Sequence, residues 1–274
     1  MLRELWPRRE LVLSLVRRDL KTRYRSSVLG FLWSFCKPLL LMLVLYFVFT
    51  NFIRFAWPLQ APFALFLLSG ILAWTYLTGS VAEAMYSIIS NTTLVKKTYI
   101  PPAVFPVVTI LSNLFHFLLA LVVYFLLLLC FGKIPTWHVV LLPLVIVAQT
   151  FFILGLALLL SSLNVFYRDI ASIMEVVIAA WFYLSPILYP LSMLQDSSLI
   201  DIPPWLIHVY MLNPMAPLLA AYHKALLLPA FGDVEIAGHL LLTYLAWALV
   251  SSVILFLVGR AVFRHYSGRF ADEV

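Results

Sequence analysis

PAVFPVVTILSNLFHFLLALVVYFLLLLCF, residues 102–131, runs for thirty positions without an Asp, Glu, Lys or Arg. A hydrocarbon core of about 30 Å is crossed by about 20 helical residues rising 1.5 Å each. No water satisfies the backbone there, so a stretch of this length must close its own hydrogen bonds as a helix. Uncharged runs flank it at about 38–53 (reaching back past Lys37 to about residue 29), 62–82, 138–163, 176–195 and 236–259. The chain therefore reads as an all-α integral membrane protein with six transmembrane helices, one domain over 1–274.

Composition agrees. Apolar residues make up 64% and charged residues 11% of the chain, against about 45–50% and 25% for a soluble domain. Lipid must solvate much of that surface. The amino end is charged rather than a short apolar run before a small-residue cleavage site, so no cleavable signal peptide is expected. Cys36 and Cys130 fall near opposite ends of different spans and are expected to stay unbridged, as small apolar side chains.

A net charge of +6 raises nucleic acid as a partner, but its distribution answers to topology instead. With six spans, the two termini and the 2–3 and 4–5 loops share one side. Fourteen Lys and Arg lie on it, eight of them in the first 25 residues, against three (Arg54, Lys133, Lys224) on the other. The positive-inside rule then places both termini in the cytoplasm.

Two segments stand outside the spans. Residues 8–26 put Val12, Val16, Leu20 and Tyr24 on one side of a helical wheel and Arg17, Arg18, Lys21 and Arg25 on another. Arg9 and Arg23 interrupt the apolar side. That pattern suits a helix in the cytoplasmic interface, its arginines toward anionic headgroups or a lipid diphosphate. Residues 190–235 hold six prolines, which argue against one long helix. Asn213-Pro214 reads as a helix start and Pro229 as its end. That helix, about 24 Å, is too short to cross, so 190–235 is expected to form short external re-entrant helices lying as a lid.

Catalytic chemistry is sparse. Gly132-Lys133 is followed by Ile134 and lacks the glycine five positions earlier that a phosphate loop needs. No metal site, histidine pair at i, i+4 or nucleophile elbow is present in the sequence. Asp196, Asp201, Asp233 and Glu235 have no paired spacing and read as solvated. His116, mid-span, reads as a packing residue. Neither a catalytic residue nor a cofactor is therefore expected in this chain.

Ionisable groups near the spans are costly and usually paired or functional. Lys37, Glu83 and Glu175 fall within about two turns of the cytoplasmic boundary. Snorkelling to water accounts for them, or a Lys37–Glu83 or Lys37–Glu175 pair closes the inner mouth of a pathway. Arg168 and Asp169 start the fifth span, with Asp169 at a favourable dipole position. Loop 91–101, NTTLVKKTYIP, has helix-start chemistry in Asn91, Thr92 and Thr93. It should form about two turns along the membrane, presenting Lys96, Lys97 and Tyr99 either as a plain connector or as a knob for a soluble motor. WFYLSPILY at 181–189 gathers four aromatics and Pro186 in the outer half of the fifth span. Aromatic faces stack on the C–H edges of sugars, so Trp181, Tyr183 and Tyr189 are candidate channel-lining rings. Trp181 and Tyr189 lie about 80° apart on the wheel and are favoured; Tyr183 is expected to pack.

The leader running into VLGFLWSFCKPLL (28–40), with NVFYRD (164–169), LSPILYP (184–190) and LNPMAPLL (212–219), resembles permease subunits of type-2 ATP-binding-cassette exporters for polysaccharides such as O-antigens, capsules or teichoic acids. The resemblance covers about residues 8–265. It implies a homodimer working with separate nucleotide-binding subunits that carry the ATP and magnesium. It also makes 91–101 a coupling helix, 8–26 an interfacial gate helix and 190–230 external gate helices. Spans one and five would line the channel for a lipid-linked glycan. A permease for drugs or other hydrophobic small molecules, and an intramembrane lipid-phosphate enzyme, are the alternatives.

Overall fold

The computed structural model describes residues 6–24, 33–54, 57, 62–97, 100–134, 137–191, 193, 203–227 and 238–273. All regular structure among them is helical. A leader α1 (Arg9–Tyr24) is followed by α2 (Trp33–Phe47), which runs on as a wider turn over Val48–Phe52. Next come α3 (Phe63–Tyr86), the short α4 (Thr92–Lys97), α5 (Val104–Cys130) and α6 (Leu141–Phe166). The chain then forms α7 (Asp169–Tyr183), α8 (Pro204–Met211), α9 (Met215–Leu227), α10 (Gly238–Tyr266) and a terminal turn α11 (Phe270–Glu273).

Among the described residues, five helical stretches are long and apolar enough to cross a membrane: Phe35–Phe52, Phe63–Tyr86, Val104–Cys130, Trp137–Phe166 and Leu242–Arg269. The uncharged run that opens the sequence reading is α5. Gly132, at φ 71°, stops it: the Gly132 and Lys133 N–H groups turn back to the Leu129 and Leu128 carbonyls at 2.8 and 3.2 Å. That left-handed residue is where glycine has no steric cost.

The fifth span starts at Asp169, as expected, but its helix ends at Tyr183, short of the end of the uncharged run near 195, after 15 residues, or about 22 Å. Leu184 caps it, and Ser185, Pro186, Ile187 and Leu188 then turn inward and are buried. Pro186 has no N–H with which to continue the helix.

α3 is the hub, packed against α2, α5, α6 and α9. Polar residues sew its seam to α6. Gln149 donates to the Ala73 carbonyl at 2.7 Å, Asn164 to the Met85 carbonyl at 3.0 Å, and Tyr76 meets Thr150 at 3.1 Å. Between apolar helices in lipid no hydrophobic force favours one neighbour over another, so such bonds and close packing decide it. The closest packing lies between α6 and α10, where Gly155 faces Gly259. A Cβ on Gly155 would stand 2.5 Å from the Phe256 nitrogen, and one on Gly259 would overlap the Gly155 carbonyl oxygen.

The segment expected as a lid goes deeper than that reading. α9 is inserted among α3, α6 and α10, and nearly every side chain on it is buried. Tyr222 donates to Gln149 at 2.7 Å, and His223 stacks on Phe66 beside Gly70. α8 and α9 form a hairpin whose turn, at Leu212–Pro214, reaches Trp181 of α7 and Trp247 of α10. The expected helix start is present there: Asn213 accepts the Met215 N–H at 3.1 Å. Residues 194–202 and 228–235 of the expected excursion lie outside the described residues.

Candidate functional site

One face of this bundle is open. α2 and α7 stand apart as two walls, α3 forms the floor between them, and the space enclosed is a groove of about 610 Å³. Leu41 and Leu45 line the first wall; Glu175, Ile178, Phe182 and Tyr183 line the second. Trp74, Thr75, Thr78 and Tyr86 make the floor. From Tyr86, at the end nearer α4, to Trp74 is twelve residues of helix, about 18 Å, so the groove follows the spans for over half a bilayer. Its lining is mainly apolar and aromatic, with the Thr75 and Thr78 hydroxyls and one carboxylate, Glu175.

The expected site residues divide here. Glu175 is exposed in the groove and makes no ion pair among the described residues. Lys37 is exposed on α2, one turn before Leu41 on the same stripe, and likewise pairs with nothing described. Each stands on its own wall helix, and the expected Lys37–Glu175 contact is not made within one chain. The Lys37–Glu83 pair is a correction. Glu83 faces the other way and binds Arg23 of the leader at 2.6 Å and Asn113 of α5 at 2.7 Å.

The aromatic assignment is also reversed. Tyr183 is 67% exposed and lines the groove, together with Phe182. Trp181 points away, donating to the Asn213 side chain at 2.9 Å and packing edge-on against Trp74. Tyr189 lies past the helix end, half-buried, its hydroxyl against Tyr210 at 3.2 Å and the Tyr183 carbonyl at 3.3 Å. A wheel drawn through 181–189 fails because the helix stops at Tyr183.

Asn213 ties these parts together. Its oxygen takes Trp181 and the Met215 N–H, and its nitrogen faces Ser185 at 3.3 Å. The two proline-containing motifs at 184–190 and 212–219 thus meet at one amide. Asn213→Ala would leave the Trp181 N–H without its partner, at about 1–2 kcal/mol. The detergent-solubilised protein should melt several degrees lower, and an unchanged melting point would show that the contact carries no weight.

The loop expected to meet a motor is a short helix. α4 covers Thr92–Lys97 with Lys96 exposed, while Asn91 ends the tight turn Ile89–Asn91 before it. The Asn91 and Thr92 side chains bond back to the Ser87 and Ile89 carbonyls, at 2.9 and 2.6 Å, so they hold the approach to the helix. Beneath it Ile89 and Val95 rest on a cluster of Ile88, Leu158, Phe263 and the fully buried Phe270. The carboxyl-terminal turn therefore braces this segment, which the sequence reading missed; a lone phenylalanine in a charged tail was the available signal. Tyr99 and Arg25 lie outside the described residues.

Arg168 and Asp169 are exposed at the start of α7, as expected. In the same motif the telling residue is Asn164, through its bond to Met85. Arg17, Arg18 and Lys21 are exposed on α1, but the apolar side of that helix is not turned to lipid. Val12 is buried against Val104 and Val108 of α5.

A bundle of apolar helices with an open groove and a braced short helix between two spans suits the membrane half of a transporter, and the chain belongs to the ABC-2 type transporter family, which it matches over residues 10–227. It is 36% identical over 274 residues to the O-antigen export system permease protein RfbA of Myxococcus xanthus, covering 100% of this chain and 99% of that one. It is 30% identical over 268 residues to the protein of the same name from Klebsiella pneumoniae, covering 96% and 94%. The chain is thus a multi-pass transport subunit, and ATP hydrolysis belongs to a separate ATP-binding partner.

Proposed function

We propose that this chain is the channel subunit of an ATP-driven exporter that moves a lipid-linked, O-antigen-like polysaccharide across the cytoplasmic membrane. The carrying observation is the groove. Tyr86, Phe182 and Tyr183 offer ring faces to the C–H edges of sugars, and Thr75 and Thr78 offer hydroxyls, so a chain can slide past without any one hydroxyl being gripped. Glu175 in that groove would be costly if it faced lipid, as ionised groups within spans are. Water or a second protein surface therefore covers it. A homodimer in which two copies close their open faces on each other supplies both, and leaves a wet path between four walls.

In this reading α7 completes a sixth crossing, helped by the turn after Tyr183, and both termini lie in the cytoplasm. The exposed arginines of α1 receive the carrier's diphosphate. α4 docks the ATPase, and no cofactor is required in this chain. Replacing Phe182 and Tyr183 with alanine removes two stacking rings, each worth about 0.5–1.5 kcal/mol by analogy with ring pairs. Export should slow about two- to tenfold per ring, with folded protein unchanged. The measurement is surface glycan per permease in cells that depend on this chain. Normal export by the double variant would remove the rings from the path.

A further inference from the structure

Arg23 is one of the two arginines that interrupt the apolar side of α1, and it lies in a cluster of three elements. Its Nη2 donates to Glu83 Oε2 of α3 at 2.6 Å, and its Nη1 to Asn113 Oδ1 of α5 at 3.4 Å. Asn113 is 8% exposed and donates in turn to Glu83 at 2.7 Å. Asp19, one turn back on α1, stands 3.7 Å from Arg23. The triangle is closed: each of Arg23, Glu83 and Asn113 touches the other two. Along the same helix Val12 is packed on Val104 and Val108. The leader is thus held at two places, by an apolar seam to α5 and by a charged knot to α3 and α5 together.

Those two helices are the ones that carry α4 between them. Glu83 lies nine residues before Thr92, and Asn113 sixteen after Lys97. At this same end α1 leads, nine residues beyond Tyr24, into Trp33 and α2, the first wall of the groove. We propose that Arg23, Glu83 and Asn113 are positioning residues that fasten the leader to both supports of α4. A displacement of α4 by the ATPase then reaches α1 and, through it, the wall of the groove. The inference rests on the export reading for what is moved, and on the geometry alone for how the parts are joined.

The test uses the full chain with its ATPase partner in proteoliposomes containing a lipid-linked glycan. Val12→Cys and Val108→Cys are introduced after Cys36 and Cys130 are replaced by serine. Arg23→Glu or Glu83→Arg should lower the disulfide-trapped fraction and cut ATP-dependent export about tenfold or more, since each sets two like charges against each other where the ion pair stood. ATP hydrolysis should persist. The double variant Arg23→Glu, Glu83→Arg should restore both to within about threefold, short of full recovery because Asp19 then sits one turn from a new carboxylate. Oxidising the cysteine pair in Arg23→Glu protein should also recover export, because the disulfide replaces the knot after folding is complete. A role in folding alone would not respond to late oxidation. Single variants that export normally, or a charge swap and an oxidised pair that both fail to recover, overturn the proposal. Trapping that follows the charges as expected while even the unaltered protein moves no glycan leaves the fastening standing and removes the export reading.

Discussion

Replacing Gly259 with valine is expected to leave no folded permease in the membrane. The overlap is with backbone, since a Cβ at 259 falls on the Gly155 carbonyl oxygen and one at 155 falls on the Phe256 nitrogen. Neither neighbour is a flexible tip that can swing aside. Inserting bulk into a packed core costs about 1–3 kcal/mol where side chains can adjust, and here two whole helices must separate. α6 and α10 form the most extensive helix pair in the protein, and prying them apart also disturbs the Phe256 and Phe263 cluster beneath α4. Gly155→Val should behave the same way, while Gly268→Ala, with open space around its Cβ, should be neutral. The check is the yield of monodisperse protein after extraction from membranes. Wild-type yield of Gly259→Val would mean that the two spans do not meet where the structure places them.

The second large effect falls on transport alone. Lys96→Glu with Lys97→Glu should abolish ATP-dependent movement of substrate and leave insertion and folding intact. α4 is a six-residue helix whose inner side is held by Val95 on the Phe270 cluster, while Lys96 is exposed and free to meet a partner. Reversing two charges on a knob that enters a partner's cleft costs about 2–5 kcal/mol of docking where the opposing charges are buried. The ATPase should then fail to copurify with the permease. Copurification at the wild-type level together with normal transport would show that α4 is only a connector.

The bundle was legible because its signal is long. An uncharged run of twenty or more residues has one structural outcome in lipid, and five of the expected runs lie in helices long enough to cross. The end of α7 was less legible than its start: Asp169 marked the first turn, but the uncharged run continues to about 195 while the helix stops at Tyr183, before Pro186. The partner of Glu83 was missed for a different reason. Sequence position offers Lys37 as its neighbour, but a span has a rotational setting that only packing fixes, and Glu83 is turned toward α1. A clue was present all the same: an arginine on the apolar side of an amphipathic helix needs an acid wherever that side is buried. Asn113, Gln149 and Asn164 carried a similar clue, since a buried amide within a span must find its bonds in another helix or along its own backbone. Which carbonyl or side chain each would find lies in the third dimension.

The most direct measurement reconstitutes this chain with its ATPase partner in proteoliposomes and follows a lipid-linked glycan to the side opposite the ATP. Single cysteines at Thr78 and Ala179, both on the groove, are then blocked with a bulky thiol reagent, with Leu144 on the exposed face of α6 as the control. The account predicts ATP-dependent transfer that stops when 78 or 179 is blocked and continues when 144 is. Transfer that proceeds with both groove positions blocked, or none with ATP and the active partner present, would contradict it.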